Sequence, residues 1–187
     1  MLTANDSETE LLMQYSQFLR RDYPNEEAIW EGSPFAWIQN RSSRQKGAIG
    51  EKLISGYLAL KGFDVTRSPG TDSNRVIAGK FVAIKMSSLW EGGEYKFQQI
   101  RDQNYDCILC LGISPFDVHC WVIPKQVIMD KWHSGEISSQ HLGQEGSDTA
   151  WLSIKPRTPP KWVREWGGSL AEAVAKIIEI TGQKPLL

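Results

Sequence analysis

Apolar and polar positions along this chain change period several times, and each change marks an element. Residues 7–21 carry Leu11, Leu12, Tyr15, Phe18 and Leu19 at helical spacing, and Ser7 with Glu10 forms a capping box at the start. Pro24 ends that helix, and Trp30, Phe35, Trp37 and Ile38 in the less regular stretch behind it are expected to pack it onto the body. Helical spacing returns over 44–61, with Ile49, Leu53, Tyr57 and Leu60 on the expected buried face and Gly62 as the stop. The period then falls to that of strands: 63–66, Val76-Ile77, and Phe81 to Ile84, the last two joined by a short Ala78-Gly79 connection. Side chains alternate along a strand, so positions 83 and 85 share a face opposite Val82 and Ile84.

Beyond the hairpin, the spacing of Tyr95, Gln99 and Gln103, and of Phe97, Ile100 and Asn104, predicts a helix over 94–104. Residues 106–113 and 118–123 are nearly continuous apolar runs, the pattern of strands covered on both faces. A short helix from Lys125 to Trp132, a polar loop over 134–148 and a strand over 149–154 follow, and Pro156, Pro159 and Pro160 break the chain. Ser169 and Glu172 cap a last helix through Ile180, with Leu170, Val174, Ile177 and Ile178 as its stripe. The fold expected is α/β, an αβββαβ order with a central mixed sheet flanked by helices and helical additions at both ends.

Composition narrows this picture only a little. At 187 residues, 41% hydrophobic and 23% charged, the chain is expected to form one globular domain: an extension over 1–43, a core over 44–123 and a loop, strand and helix over 124–187. No apolar run approaches a membrane span, the N-terminus lacks a signal-peptide pattern, and three cysteines suit a reducing compartment, so a cytoplasmic protein is expected. Net charge is −1 but uneven: residues 1–31 hold seven acids against two basic residues, and residues 41–85 hold nine Lys or Arg against three acids. A basic block of that kind can supply phosphate contacts, although a solvated helix face explains it equally well.

The candidate chemistry lies inside that block. Pro69-Gly70 is a turn signal, Asp72 stands ahead of one strand, and Lys85 stands on the next. The helix before them contains Gly47-Ala48-Ile49-Gly50-Glu51; two glycines cost a helix about 1 kcal/mol each relative to alanine, which close packing on a sheet can offset. Glu51 lies on the flank of the apolar stripe, where it can lean toward the sheet. Cys107 and Cys110 have odd spacing on a strand and point to opposite faces, as core residues and not as a metal pair. His119 and Cys120 alternate in the same way, and His133 and His141 have no partner for a triad. Trp132, Trp151, Trp162 and Trp166 crowd the C-terminal third, where packing is a better account than base stacking.

This layout resembles the PD-(D/E)xK nucleases, the restriction-endonuclease-like superfamily, over roughly residues 44–123. Carried over by position, Asp72 matches the first acid and Lys85 the lysine, while Ala83 stands where the second acid belongs. Glu51 matches the glutamate of the preceding helix, and Gln99 is the candidate polar residue of the following one. The resemblance implies DNA as the partner and hydrolysis of phosphodiester bonds assisted by Mg²⁺, with Mn²⁺ as a possible substitute. Asp72 and the backbone carbonyl of Ile84 would hold the ion with Glu51 as an outer partner, and Lys85 would serve the attacking water. Ala83 offers no side-chain oxygen, so the chain as written is expected to bind metal weakly and cut poorly. The reading is a restriction endonuclease inactivated at position 83, since Asp72, Lys85 and Glu51 are all present. A repair or junction-resolving nuclease and a non-catalytic DNA-binding subunit are the alternatives. Cutting both strands of a duplex needs two sites, so a homodimer is expected, with the Trp-rich third as its face.

Overall fold

Two features of the helix before the hairpin set the architecture: a Ser42 capping box with Gln45 that starts it, and Gly50, which lets it lie close to a sheet. The structure, a computed structural model, describes residues 12–16, 18, 26–141 and 148–184. After a 3-10 turn at Glu26–Trp30 the elements are α1 (Ala36–Gln39), α2 (Ser43–Leu60), β1 (Val65–Arg67), β2 (Arg75–Ile77), β3 (Lys80–Ser88), β4 (Tyr95–Ile100), β5 (Cys107–Ile113) and β6 (Val118–Pro124). Then come α3 (Lys125–His133), β7 (Ser138–Ser139), β8 (Ala150–Ile154), α4 (Lys161–Arg164), β9 (Gly167–Gly168) and α5 (Leu170–Thr181).

A central six-stranded sheet runs in the order β1-β2-β3-β5-β6-β9. It is mixed: β3 and β5 are parallel, and the other pairs are antiparallel. Helices α2 and α5 cover one face, where Ile54, Leu58, Ala173 and Ile177 pack with Val82, Ile84, Leu109 and Val122. The other face is covered by a second, antiparallel sheet, β4-β8-β7, together with α3. There Tyr95, Phe97, Leu152 and Ile128 pack with Ala83, Ile108, Cys110 and Ile123. The alternation expected of β3 therefore holds, with Val82 and Ile84 toward α2 and Ala83 toward β4. Every residue of β5 is buried, as its unbroken apolar run requires, and Cys107 and Cys110 fall in the two different cores.

Three expectations are corrected. Residues 94–104 are not a helix: Tyr95–Ile100 is strand β4, followed by a loop, so no helix separates β3 from β5 in the observed order. Tyr95 and Phe97 are both fully buried two positions apart, which a strand allows and one helix face does not. Gly112 makes room for the Tyr95 ring, because a Cβ there would lie 2.6 Å from it. The buried face of α2 is also turned, to Gly50, Ile54, Ser55 and Leu58, leaving Leu60 80% exposed. Close approach at Gly50 decides this, since it brings the Gly50–Ile54–Leu58 row onto β3. Trp30 and Ile38 are buried as expected, but Trp37 is 51% exposed. Of the first predicted helix, residues 12–16 and 18 are helical with Leu12, Tyr15 and Phe18 exposed; Ser7, Glu10, Leu11, Leu19 and Arg21 lie outside the described residues.

No helix among the described residues is long and apolar enough to cross a membrane. Trp132, Trp162 and Trp166 pack partly buried against the second core, in agreement with a packing role.

Candidate functional site

The hairpin forms as the turn chemistry dictates: Ala78 and Gly79 both take positive φ, 50° and 80°, joining β2 to β3 in the register Arg75↔Val82 and Ile77↔Lys80. Beyond the start of β2 the edge of β3 runs on without a strand partner on that side among the described residues. The loop ahead of β2 is tied by a Ser68–Ser73 hydroxyl bond of 2.8 Å and meets that edge at Asn74, whose amide donates to Val82 O at 3.0 Å.

On the β4 side, Lys85 extends from β3 and its Nζ donates to the Gln99 carbonyl at 2.7 Å. Burial holds this amine below the ordinary lysine range; Cys110 opposes the shift and Arg101 adds to it. The carbonyl is presented by an irregularity in β4, whose register with β8 shifts between Phe97 and Ile100. Gln99 itself sits at φ 55°, a left-handed conformation that is costly for a residue with a side chain. Asp72 meets the end of the same segment, accepting from the Asn104 amide at 3.2 Å and from Gln103 Nε2 at 3.4 Å. Lys125 holds the segment from below, on Gln103 O at 2.6 Å and Asp102 at 2.7 Å. Lys85 and Asp72 thus bond the two ends of residues 99–104, and Ala83, 5% exposed, lies on the face that carries Lys85.

Glu51 reaches the hairpin from α2, on the opposite layer. Its Oε1 pairs with Arg75 Nη2 at 3.0 Å, and its Oε2 accepts from Asn74 Nδ2 at 3.1 Å. Asn74 Oδ1 in turn accepts from the Ile84 amide at 2.7 Å. Glu51 does lean toward the sheet, but its partners are Asn74 and Arg75, which sequence reasoning missed. The signal was present in their position at the mouth of β2, two and three residues past Asp72.

Mg²⁺, the ion the resemblance implies, does not fit the side chains as placed. Glu51 already has a guanidinium, Asp72 is turned to the 103–104 backbone and amide, and Ala83 has no oxygen. No group of three His, Cys, Asp or Glu able to hold a metal occurs among the described residues. What the arrangement offers is positive charge: of the nine Lys and Arg in 41–85, only Arg75 is ion-paired among the described residues.

No protein-family model matches the chain, and no curated protein does. Among solved structures it is similar to a bacterial homing endonuclease, I-Ssp6803I, at 16% identity over 75% of this chain and 94% of that one, with a TM-score of 0.49.

Proposed function

We propose that this chain is a DNA-binding protein built on a nuclease-type architecture, of the PD-(D/E)xK kind its hairpin resembles, and that as written it binds DNA without cutting it. The observation that supports this is that an acid and a lysine of the hairpin region, Asp72 and Lys85, both hydrogen-bond the Gln99–Asn104 segment. Cations without an ion pair among the described residues, Arg44 and Lys52 on α2 and Arg67 on β1, are exposed and free to meet phosphates. Mg²⁺-dependent hydrolysis, whether of the restriction or the repair and junction-resolving type, is the chemistry of the resemblance. It needs a carboxylate where Ala83 stands.

A fluorescently labelled duplex titrated with the full chain tests the binding, and incubation with Mg²⁺ or Mn²⁺ tests the cutting. Salt-sensitive binding with intact DNA is the expected result; no binding to duplex, single-stranded or branched DNA would overturn it. Ala83→Glu decides between two histories. Fragments from that variant, lost again on adding Lys85→Ala, would restore the reading of an endonuclease with one acid removed. Binding that stays inert makes the chain a non-cleaving subunit.

A further inference from the structure

Two residues past Asp72, the side chain of Asn74 occupies a place that Asp72 does not. Its Nδ2 donates to Glu51 on α2 at 3.1 Å, and its Oδ1 accepts from the Ile84 amide on β3 at 2.7 Å. Its own backbone amide donates to Val82 O at 3.0 Å, which fixes the residue at the edge of β3. Asp72 meanwhile points to Gln103 and Asn104. We infer that Asn74, not Asp72, stands where a first acid would meet Glu51, and that its amide latches helix α2 to strand β3 there in place of a divalent cation. This rests on the nuclease-type reading of the hairpin.

The chemistry of the amide carries the argument. An ion between two strands and a helix would have to be approached by negative oxygens; an amide instead donates at one end and accepts at the other, and so bridges a carboxylate to an N–H while neutral. Aspartate has the same shape but no donor. At position 74 it would keep the Ile84 bond and bring a second carboxylate against Glu51 at the 3.1 Å now spanned by the amide. Two carboxylates that close cannot both ionise without a cation between them. Arg75 supplies one positive charge to Glu51 and leaves the second carboxylate uncompensated. Ala83, next to Ile84 on β3, is uncharged as well, its methyl packed in the second core on the β4 side of the same strand. A single lost carboxylate is what a deliberate knockout leaves. An amide that makes two specific bonds, together with a packed methyl, is a cation-free site with its own stabilisation.

The test reads metal and melting, with no DNA in the tube, so its failure is separate from failure of the DNA-binding reading. Bound Mn²⁺ is measured by electron paramagnetic resonance, and thermal melting is followed in chelator and in Mg²⁺ or Mn²⁺. The unsubstituted chain should hold no site-bound Mn²⁺ and melt alike in all three. Asn74→Asp should melt lower in chelator and recover in Mg²⁺ or Mn²⁺, whereas Asn74→Ala, which loses both bonds, should melt lower and not recover. Asn74→Asp combined with Ala83→Glu should bind Mn²⁺ at least tenfold more tightly than Ala83→Glu alone. Site-bound Mn²⁺ in the unsubstituted chain, or equal binding by Ala83→Glu with and without Asn74→Asp, would overturn the inference.

Discussion

The two glycines of α2 have different reasons for being there. A Cβ on Gly50 would collide with Met86, its Cγ only 2.6 Å away, whereas a Cβ on Gly47 would meet nothing within 4 Å. Gly50→Ala should therefore cost about 1–3 kcal/mol through overpacking. Gly47→Ala should raise stability by about 1 kcal/mol from helix propensity alone. Urea midpoints of the two variants check both signs. The titrating groups of the two cores give a pH prediction. Burial pushes the Cys107 thiol from 9.0 up to about 12 and the Tyr95 hydroxyl from 10.0 to about 12. Below pH 9 both groups keep their protons in either state and their contribution is complete. Above it the unfolded chain releases protons that the folded chain retains, so stability should fall from about pH 9 toward about pH 12. Lys85 runs the other way, because burial lowers its amine and its charged form is the costly one. A urea midpoint level up to about pH 9 and declining beyond it is the expected profile.

At the scale of elements, the β2–β3 turn and the irregularity in β4 carry the site. Ala78 and Gly79 use the two positive φ values of a two-residue hairpin turn, for which Asn-Gly is the favoured pair. Ala78→Asn should raise stability by about 0.5–1 kcal/mol, because Asn tolerates the left-handed region better than Ala. Gln99 uses the same region with no such help, and its carbonyl is what Lys85 binds. A β-branched residue is strained there, so Gln99→Val should lose about 1–2 kcal/mol. Gln99→Gly should fold without that loss and keep the lysine contact, since the bond is to backbone. Thermal melting of the two variants separates strain at Gln99 from any role of its side chain, and DNA binding measured alongside reports the latter.

The whole molecule is a central sheet between two unlike layers, helices on one side and a small sheet with α3 on the other, and this sandwich holds the basic stretch of α2 outward. Arg44 and Lys52 are exposed on that helix, and reversing both to Glu should lower DNA affinity by about tenfold or more while leaving melting unchanged. The slope of log affinity against log salt should shrink by about 0.9 for each phosphate the variant no longer neutralises. A two-fold homodimer is the proposed assembly, since a nuclease-type domain with one site needs a second copy to act on both strands of a duplex. Light scattering with and without DNA tests it, and a monomer in both removes it. The tryptophans of the C-terminal third are a weaker face for it than their number suggests, since Trp132, Trp162 and Trp166 already pack on the second core. Exposed apolar side chains among the described residues lie instead at several places, Leu12, Phe18, Ile29, Trp37, Leu60 and Phe116 among them.

Local chemistry by itself determined the hairpin, the buried strands β5 and β6, the helices after Ser42 and Ser169 and the opposite facing of Cys107 and Cys110. Each depends on a period of two, a cap or a turn residue, and those signals act over a few residues. It also put Lys85 and Ala83 on one face, because alternation along a strand needs no distant partner. Only the tertiary structure decided the rest. Residues 94–104 carry both a helical and an alternating pattern, and the place of Tyr95 against Gly112, seventeen residues on, selects the strand. Which row of α2 is buried follows from a close approach of Gly50 to Met86 that hydrophobicity does not announce. The partners of Glu51 depend on the angle at which α2 meets the edge of β3. That angle brings Asn74 and Arg75 within hydrogen-bond reach and turns Asp72 away to Asn104, a choice between neighbours two residues apart that no spacing rule can make.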